Sequence, residues 1–123
     1  MGQPGMDRTR SFLYEGKTLD EWLPAIVERV VKQFDPVKII VFGSVARGEA
    51  NYDSDIDLLV VFDAIEWTEK RNVAVKICRA LARFPVPKDV IVTEVDELRR
   101  RGHLVGLMLR PALEQGRVVY ERP

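Results

Sequence analysis

A pair of carboxylates two residues apart is the first feature of this sequence that could do chemistry. Asp55 and Asp57 flank Ile56 at the start of the apolar run Ile56-Asp57-Leu58-Leu59-Val60-Val61-Phe62. In a strand, residues i and i+2 project from one face, so the two side chains stand side by side, about 6–7 Å apart at Cα. Oxygens at that spacing can converge on one divalent cation or a pair of them. Without a cation or a proton they repel. Burying Asp57 unpaired among Ile, Leu and Val would cost several kcal/mol. Asp57 is therefore expected to face an open cleft or something positive, and carboxylates beside a phosphate suit Mg²⁺.

The second feature lies just upstream. The apolar run ending at Phe42 breaks at Gly43-Ser44, followed by Val45-Ala46-Arg47-Gly48. Glycine lets a backbone approach a ligand closely, and the free N–H groups where a helical turn begins favour an anion. The Ser44 hydroxyl adds a donor, and Arg47, one turn on, can reach the same anion. In the loop between the two features, Asp53 reads as a turn or capping residue. Tyr52 and Ser54 read equally well as loop structure or as substrate contacts.

These groups need elements to hold them. Thr18 and Glu21 have capping-box spacing. The recurrence of Trp22/Leu23, Ile26/Val27, Val30/Val31 and Phe34 predicts an amphipathic helix, ended by Asp35-Pro36. Pro24 would cost a hydrogen bond inside it, so a start nearer Leu23 is expected. Residues 37–42 and 56–62 read as buried strands. Residues 67–84 read as a helix with its apolar stripe at Val73/Ala74, Ile77, Leu81 and Phe84, and with basic residues on its other faces. Residues 89–95 form a third strand, 96–102 a charged turn or short helix, 104–115 a last helix despite Gly106 and Pro111, and 117–121 a short closing strand. Trp22 and Trp67 read as core. Residues 1–17, with Gly2, Pro4, Gly5 and Gly16, read as a flexible leader before one domain over 18–123. An α+β fold follows, a single small domain with a mixed sheet of about four strands and helices packed on it.

The bulk numbers exclude several classes. No apolar run nears the roughly 20 residues that span a bilayer, and the N-terminus has no apolar signal segment, so the expected location is the cytoplasm. Basic and acidic residues number 19 each. A chain of zero net charge is not a dedicated nucleic-acid coat, and no stable nucleic-acid partner is expected. One cysteine, Cys78, and one histidine, His103, rule out an intrachain disulfide and a Cys/His zinc site. Cys78, in an apolar helical stretch, reads as a small buried hydrophobe. His103 reads as a surface or cap residue, Arg99-Arg100-Arg101 as a solvated basic turn, and Leu107, Met108 and Leu109 as ordinary core.

Gly43-Ser44, ten intervening residues and Asp55-Ile56-Asp57 resemble the signature of the DNA polymerase beta-like nucleotidyltransferase superfamily. The fuller string, with Ala46-Arg47-Gly48 and Ser54-Asp55-Ile56-Asp57-Leu58-Leu59-Val60, resembles its minimal nucleotidyltransferases. The motif match runs from about residue 37 to 62, and element order and size extend it over most of the chain. The resemblance implies that Gly43 and Ser44, with Arg47 and Ser54 near them, bind the nucleotide, that Asp55 and Asp57 hold one or two Mg²⁺ ions, and that a third carboxylate on a neighbouring strand helps activate an acceptor hydroxyl. Asp89, opening the third strand, is preferred for that role over Glu94 at its far end. ATP would be the substrate, with AMP transferred.

Larger members of the superfamily carry an acceptor-binding domain for which this chain has no room. The acceptor is then presented by another protein, or the catalytic unit forms a homo-oligomer. In the minimal members the partner is a helical HEPN-type toxin, and AMP transfer to a tyrosine of it makes the transferase an antitoxin. Two rivals share the sequence: a small-molecule nucleotidyltransferase of the aminoglycoside-modifying kind, and a non-catalytic antitoxin that neutralises by docking alone.

Overall fold

Thr18 caps the first helix. Its Oγ1 accepts the Glu21 N–H at 3.1 Å while the Glu21 carboxylate accepts the Thr18 N–H at 2.8 Å, so two of the donors a helix start leaves unpaired are met reciprocally. Helix α1 then runs Leu19–Phe34. The helix starts four residues before Leu23, where Pro24 had placed it, and Pro24 sits inside the second turn. The capping box and the buried stripe Leu19, Leu23, Ile26, Val27 and Val30 outweigh the one hydrogen bond the proline forgoes. Asp35 closes the helix in the left-handed conformation, φ 50°, with its N–H on the Val31 carbonyl.

The computed structural model describes residues 13–48, 54–101 and 116–123. After α1 come strand β1 (Lys38–Phe42), the single turn α2 (Gly43–Ala46), strand β2 (Ile56–Phe62), a 3₁₀ turn (Trp67–Glu69) leading into α3 (Lys70–Ala80), strand β3 (Lys88–Glu94), α4 (Val95–Arg101) and strand β4 (Arg117–Glu121). The helix expected over 104–115, and the readings of His103, Leu107, Met108 and Leu109, lie outside the described residues, as do Tyr52 and Asp53. Within the stretch read as leader, Tyr14 and Lys17 exchange backbone hydrogen bonds around Glu15-Gly16, and the Trp22 indole N–H holds the Tyr14 carbonyl at 2.7 Å. Among the described residues no helix is long and apolar enough to cross a membrane.

The four strands form one sheet in the order β3-β2-β1-β4. β1 is antiparallel to β2 and to β4, and β2 is parallel to β3. The sheet is therefore mixed, as expected, and its two central strands are the ones with near-continuous apolar runs. One face, with Ile39, Val41, Ile56, Leu58 and Val60, packs against α1 and α3 to form the main core. The opposite face carries a smaller cluster, Ile40, Leu59 and Val61, capped by Val95 and Leu98 of α4. The β1–β4 ladder shifts register between Ile39 and Ile40, a bulge in the β4 edge.

Two expectations about α3 fail. The stripe of Val73, Ala74, Ile77, Leu81 and Phe84 does face the core, but Trp67 is 79% exposed and Cys78 is exposed. Trp67 belongs to the 3₁₀ turn and not to the α-helix, so the helical phase that would have turned it inward does not reach it. Cys78 lies about 100° round the helix from Ile77, and apolar composition hid that offset.

Candidate active site

Strand alternation decides what meets what. Asp57, Leu59 and Val61 point to the face of the smaller cluster. The cluster covers Leu59 and Val61, and Asp57, near the beginning of β2, is left half-buried. The parallel register sets Asp89 of β3 directly beside Asp57, and the antiparallel register sets Phe42 of β1 on its other side. Asp55 precedes the strand and is close enough to hydrogen-bond Asp57. Asp55, Asp57 and Asp89, named separately by spacing and resemblance, thus gather at one end of one sheet face. Glu94 lies opposite Phe62 at the other end, about 16 Å along the strand, where its carboxylate accepts the Ile65 N–H at 2.9 Å.

The electrostatics follow from that crowding. Desolvation by burial, the Asp55 charge and the hydrogen bond with Asp55, and then the Asp89 charge, raise the Asp57 carboxyl to about 7, against a partial opposing pull from Arg47. Near neutral pH Asp57 is thus partly protonated in the absence of a cation, which relieves the repulsion of a like-charge pair. Arg47, exposed at the C-terminal side of α2, lies within electrostatic reach of the same carboxylates.

Gly43 joins the two motifs. Its φ is +76°, a conformation that costs other residues roughly 1–2 kcal/mol. A β-carbon there would overlap Asp57 Oδ2 and lie 3.3 Å from Asp57 Cγ. Sequence reading assigned this glycine to ligand approach; the neighbour it makes room for in the fold is Asp57 itself. One residue on, the Ser44 hydroxyl donates to Ser54 Oγ at 2.8 Å. Ser54 is buried, 6% exposed, so the structure sets it behind Ser44 and away from the open surface. Neither the Gly43–Asp57 contact nor the serine pair has a signal in the sequence beyond the motif spacing, because both depend on how β1 and β2 register.

The donor set suits a hard cation with oxygen ligands: two touching carboxylates, a third in register, and a proton in place of positive charge. Among the described residues no three His, Cys, Asp or Glu side chains already close into a metal-holding group. Mg²⁺ is typically held by one or two carboxylates and completes its shell with water and substrate phosphate.

Comparison with known proteins identifies the family. A family model described as a nucleotidyltransferase domain matches residues 23–119. A protein of Methanocaldococcus jannaschii, provisionally named a protein adenylyltransferase, is 33% identical over 107 residues, covering 86% of this chain and 98% of the relative. Among solved structures, a Sulfolobus solfataricus protein provisionally named a nucleotidyltransferase superposes with a TM-score of 0.62 at 23% identity, covering 99% of this chain and 91% of that one. A chain from a toxin–antitoxin complex with AMP-PNP superposes with a TM-score of 0.52 at 22% identity, over 80% of this chain and 73% of that one. At these identities the two structures attest the fold, which is the one expected. The family match spans most of α1, the Gly43-Ser44 turn, all three aspartates and most of β4, and on it this chain belongs to the nucleotidyltransferase domain family.

Proposed function

We propose that this chain is a Mg²⁺-dependent adenylyltransferase that moves AMP from ATP onto a hydroxyl of a protein partner. The acceptor in this reading is a tyrosine of a helical HEPN-type toxin, for which the chain is the antitoxin. The observation that carries the transferase reading is the gathering of Asp55, Asp57 and Asp89 at one end of one sheet face with Gly43 packed against Asp57. The name of the Methanocaldococcus jannaschii relative favours a protein acceptor, and the toxin–antitoxin setting of a structural neighbour favours the partner class.

Each group then has a part. Ser44, with its hydroxyl braced by Ser54, and the N–H groups that open the α2 turn bind the triphosphate; Arg47 adds charge on the same side. Asp55 and Asp57, with Asp89, would hold one or two Mg²⁺ ions, which supply neutralisation of the charge that builds on the phosphoryl oxygens. Asp89, the most exposed of the three, takes the proton of the acceptor hydroxyl. The acceptor oxygen bonds to the α-phosphorus as the bond to the β-phosphate oxygen breaks, and pyrophosphate leaves. The protein contributes position and charge, the main resources in phosphoryl transfer.

The test is intact-mass spectrometry of a purified HEPN-type helical protein after incubation with the chain, ATP and Mg²⁺. One or more added AMP units, absent with Asp55→Asn/Asp57→Asn, is the expected result. No added mass with any nucleoside triphosphate, from a folded chain that still binds the partner, would sink the transferase reading and leave neutralisation by docking.

A further inference from the structure

Helix α3 is one-sided in charge. Residues 70–83 hold Lys70, Arg71, Lys76, Arg79 and Arg83 and no acidic residue, in a chain whose net charge is zero. Lys70 is spent internally on Glu97, whose other oxygen accepts the Thr93 hydroxyl. The remaining four are exposed, and none forms an ion pair with another described residue. Two large apolar side chains interrupt this basic surface: Trp67 is 79% and Val75 42% exposed. Arg71, Val75 and Arg79 recur every fourth residue and so form one row on the helix, with Trp67 in the turn at its head.

Val75, exposed between two arginines, and Trp67, exposed at the head of their row beside Glu66 and Glu69, put apolar area where a surface meant only for water does not need it. Tryptophan and arginine are also the residues that dominate protein–protein hot spots. A nucleic-acid strand fits less well. One aromatic gives a single stacking platform, Val75 offers neither charge nor a stacking face in the middle of the row, and a neutral chain exerts no long-range pull on a polyanion. We propose that the row Trp67–Arg71–Val75–Arg79 is the docking surface for a protein partner that presents carboxylates around an apolar groove. Trp67 and Val75 enter the groove, and Arg71 and Arg79 pair with the carboxylates, geometry that guanidinium groups suit.

The position of α3 links this surface to the carboxylate site. Because β2 and β3 are parallel, the helix between them runs back along the sheet. Its Arg79 end is therefore at the same end of β3 as Asp89. The helix covers the sheet face opposite the one the carboxylates project from, so a partner lying along α3, about 16 Å long, would bring an acceptor hydroxyl to them by passing round the β3 edge at that end. Only this last link rests on the adenylyl-transfer reading; docking does not require catalysis.

The chain carries its own reporter. Cys78, its one cysteine, is exposed on α3 beside Val75 and Arg79. The probe is a purified HEPN-type helical protein, the partner class proposed above, added to the full-length protein, with docking read by calorimetry and by the rate at which a maleimide alkylates Cys78. The expected result is saturable docking that slows alkylation at least tenfold. Arg71→Glu/Arg79→Glu should weaken docking about 30-fold or more and Trp67→Ala about tenfold or more, while binding of ATP with Mg²⁺, which also certifies the fold, stays within twofold of the parent. Docking unchanged in both variants, no docking by the parent, or Cys78 unprotected in the complex overturns the proposal. So does tight binding of a single-stranded oligouridylate that depends on the same residues. A partner that docks and protects Cys78 but gains no AMP upholds this surface and sinks the transferase reading, so the two fail separately.

Discussion

Gly43 is where the two motifs become one site. Spacing alone showed that Asp55 and Asp57 share a face and that a glycine precedes Ser44. It could not show that the glycine's missing side chain is the space Asp57 occupies, because that depends on the pairing of Phe42 with Asp57 across two strands. Gly43→Ala is expected to destabilise the fold by about 1–2 kcal/mol through its positive φ, and to cut nucleotidyl transfer by about 100-fold by displacing the Asp57 carboxylate. Gly48→Ala is the control. Its φ is also positive, +71°, but nothing lies within 4 Å of the new β-carbon, so it should lose similar stability and keep its activity. Equal activity losses in the two variants, by initial-rate assay and urea unfolding, would mean that contact with Asp57 is not what Gly43 contributes. Asp89 was legible only through the family resemblance; the parallel register that sets it beside Asp57 has no signal in the sequence.

The elements were legible where pattern and packing coincide. Strand β2 begins and ends at the residues where its apolar run does, since both its faces are covered. Helix α1 was legible from its cap and stripe, and the error over its start came from weighing Pro24 above Thr18. Thr18→Ala should cost about 1 kcal/mol and lower the melting temperature; if calorimetry shows no change, the capping box is not what sets the start. On α3, position in a turn or on a flank counts for more than apolarity. Trp67 and Cys78 were misassigned because residue type was read without helical phase, and their exposure is what makes α3 a candidate surface.

For the molecule as a whole, the carboxylate cluster makes stability depend on pH in a predictable direction. Asp57 titrates at about 7 in the fold and at 3.8 ordinarily. Between those values the folded chain holds a proton that the unfolded chain has released. The metal-free protein should therefore lose stability as pH rises from about 4 through about 7 and level off above. Asp57→Asn should remove that slope, and Mg²⁺ with nucleotide should recover stability at the upper end. Urea unfolding of both proteins across this window is the measurement, and parallel curves for parent and variant would refute the assignment. None of this could be read from composition: a chain with balanced charges conceals three acids at one end of one sheet face.

The bulge in β4 bears on how the protein behaves in a crowded solution. An outermost strand offers a ladder of backbone groups that another strand can extend, the first step toward fibrous aggregates. β4 is apolar at Val118 and Val119, and Val118 is half exposed, so a straight ladder there would be adhesive. The register shift against Ile39 and Ile40 twists the strand locally and interrupts the hydrogen-bonding repeat that stacking needs. Arg117 and Glu121 put charge at either end. The irregularity that looks like a flaw in pairing thus helps the chain remain dispersed at high concentration.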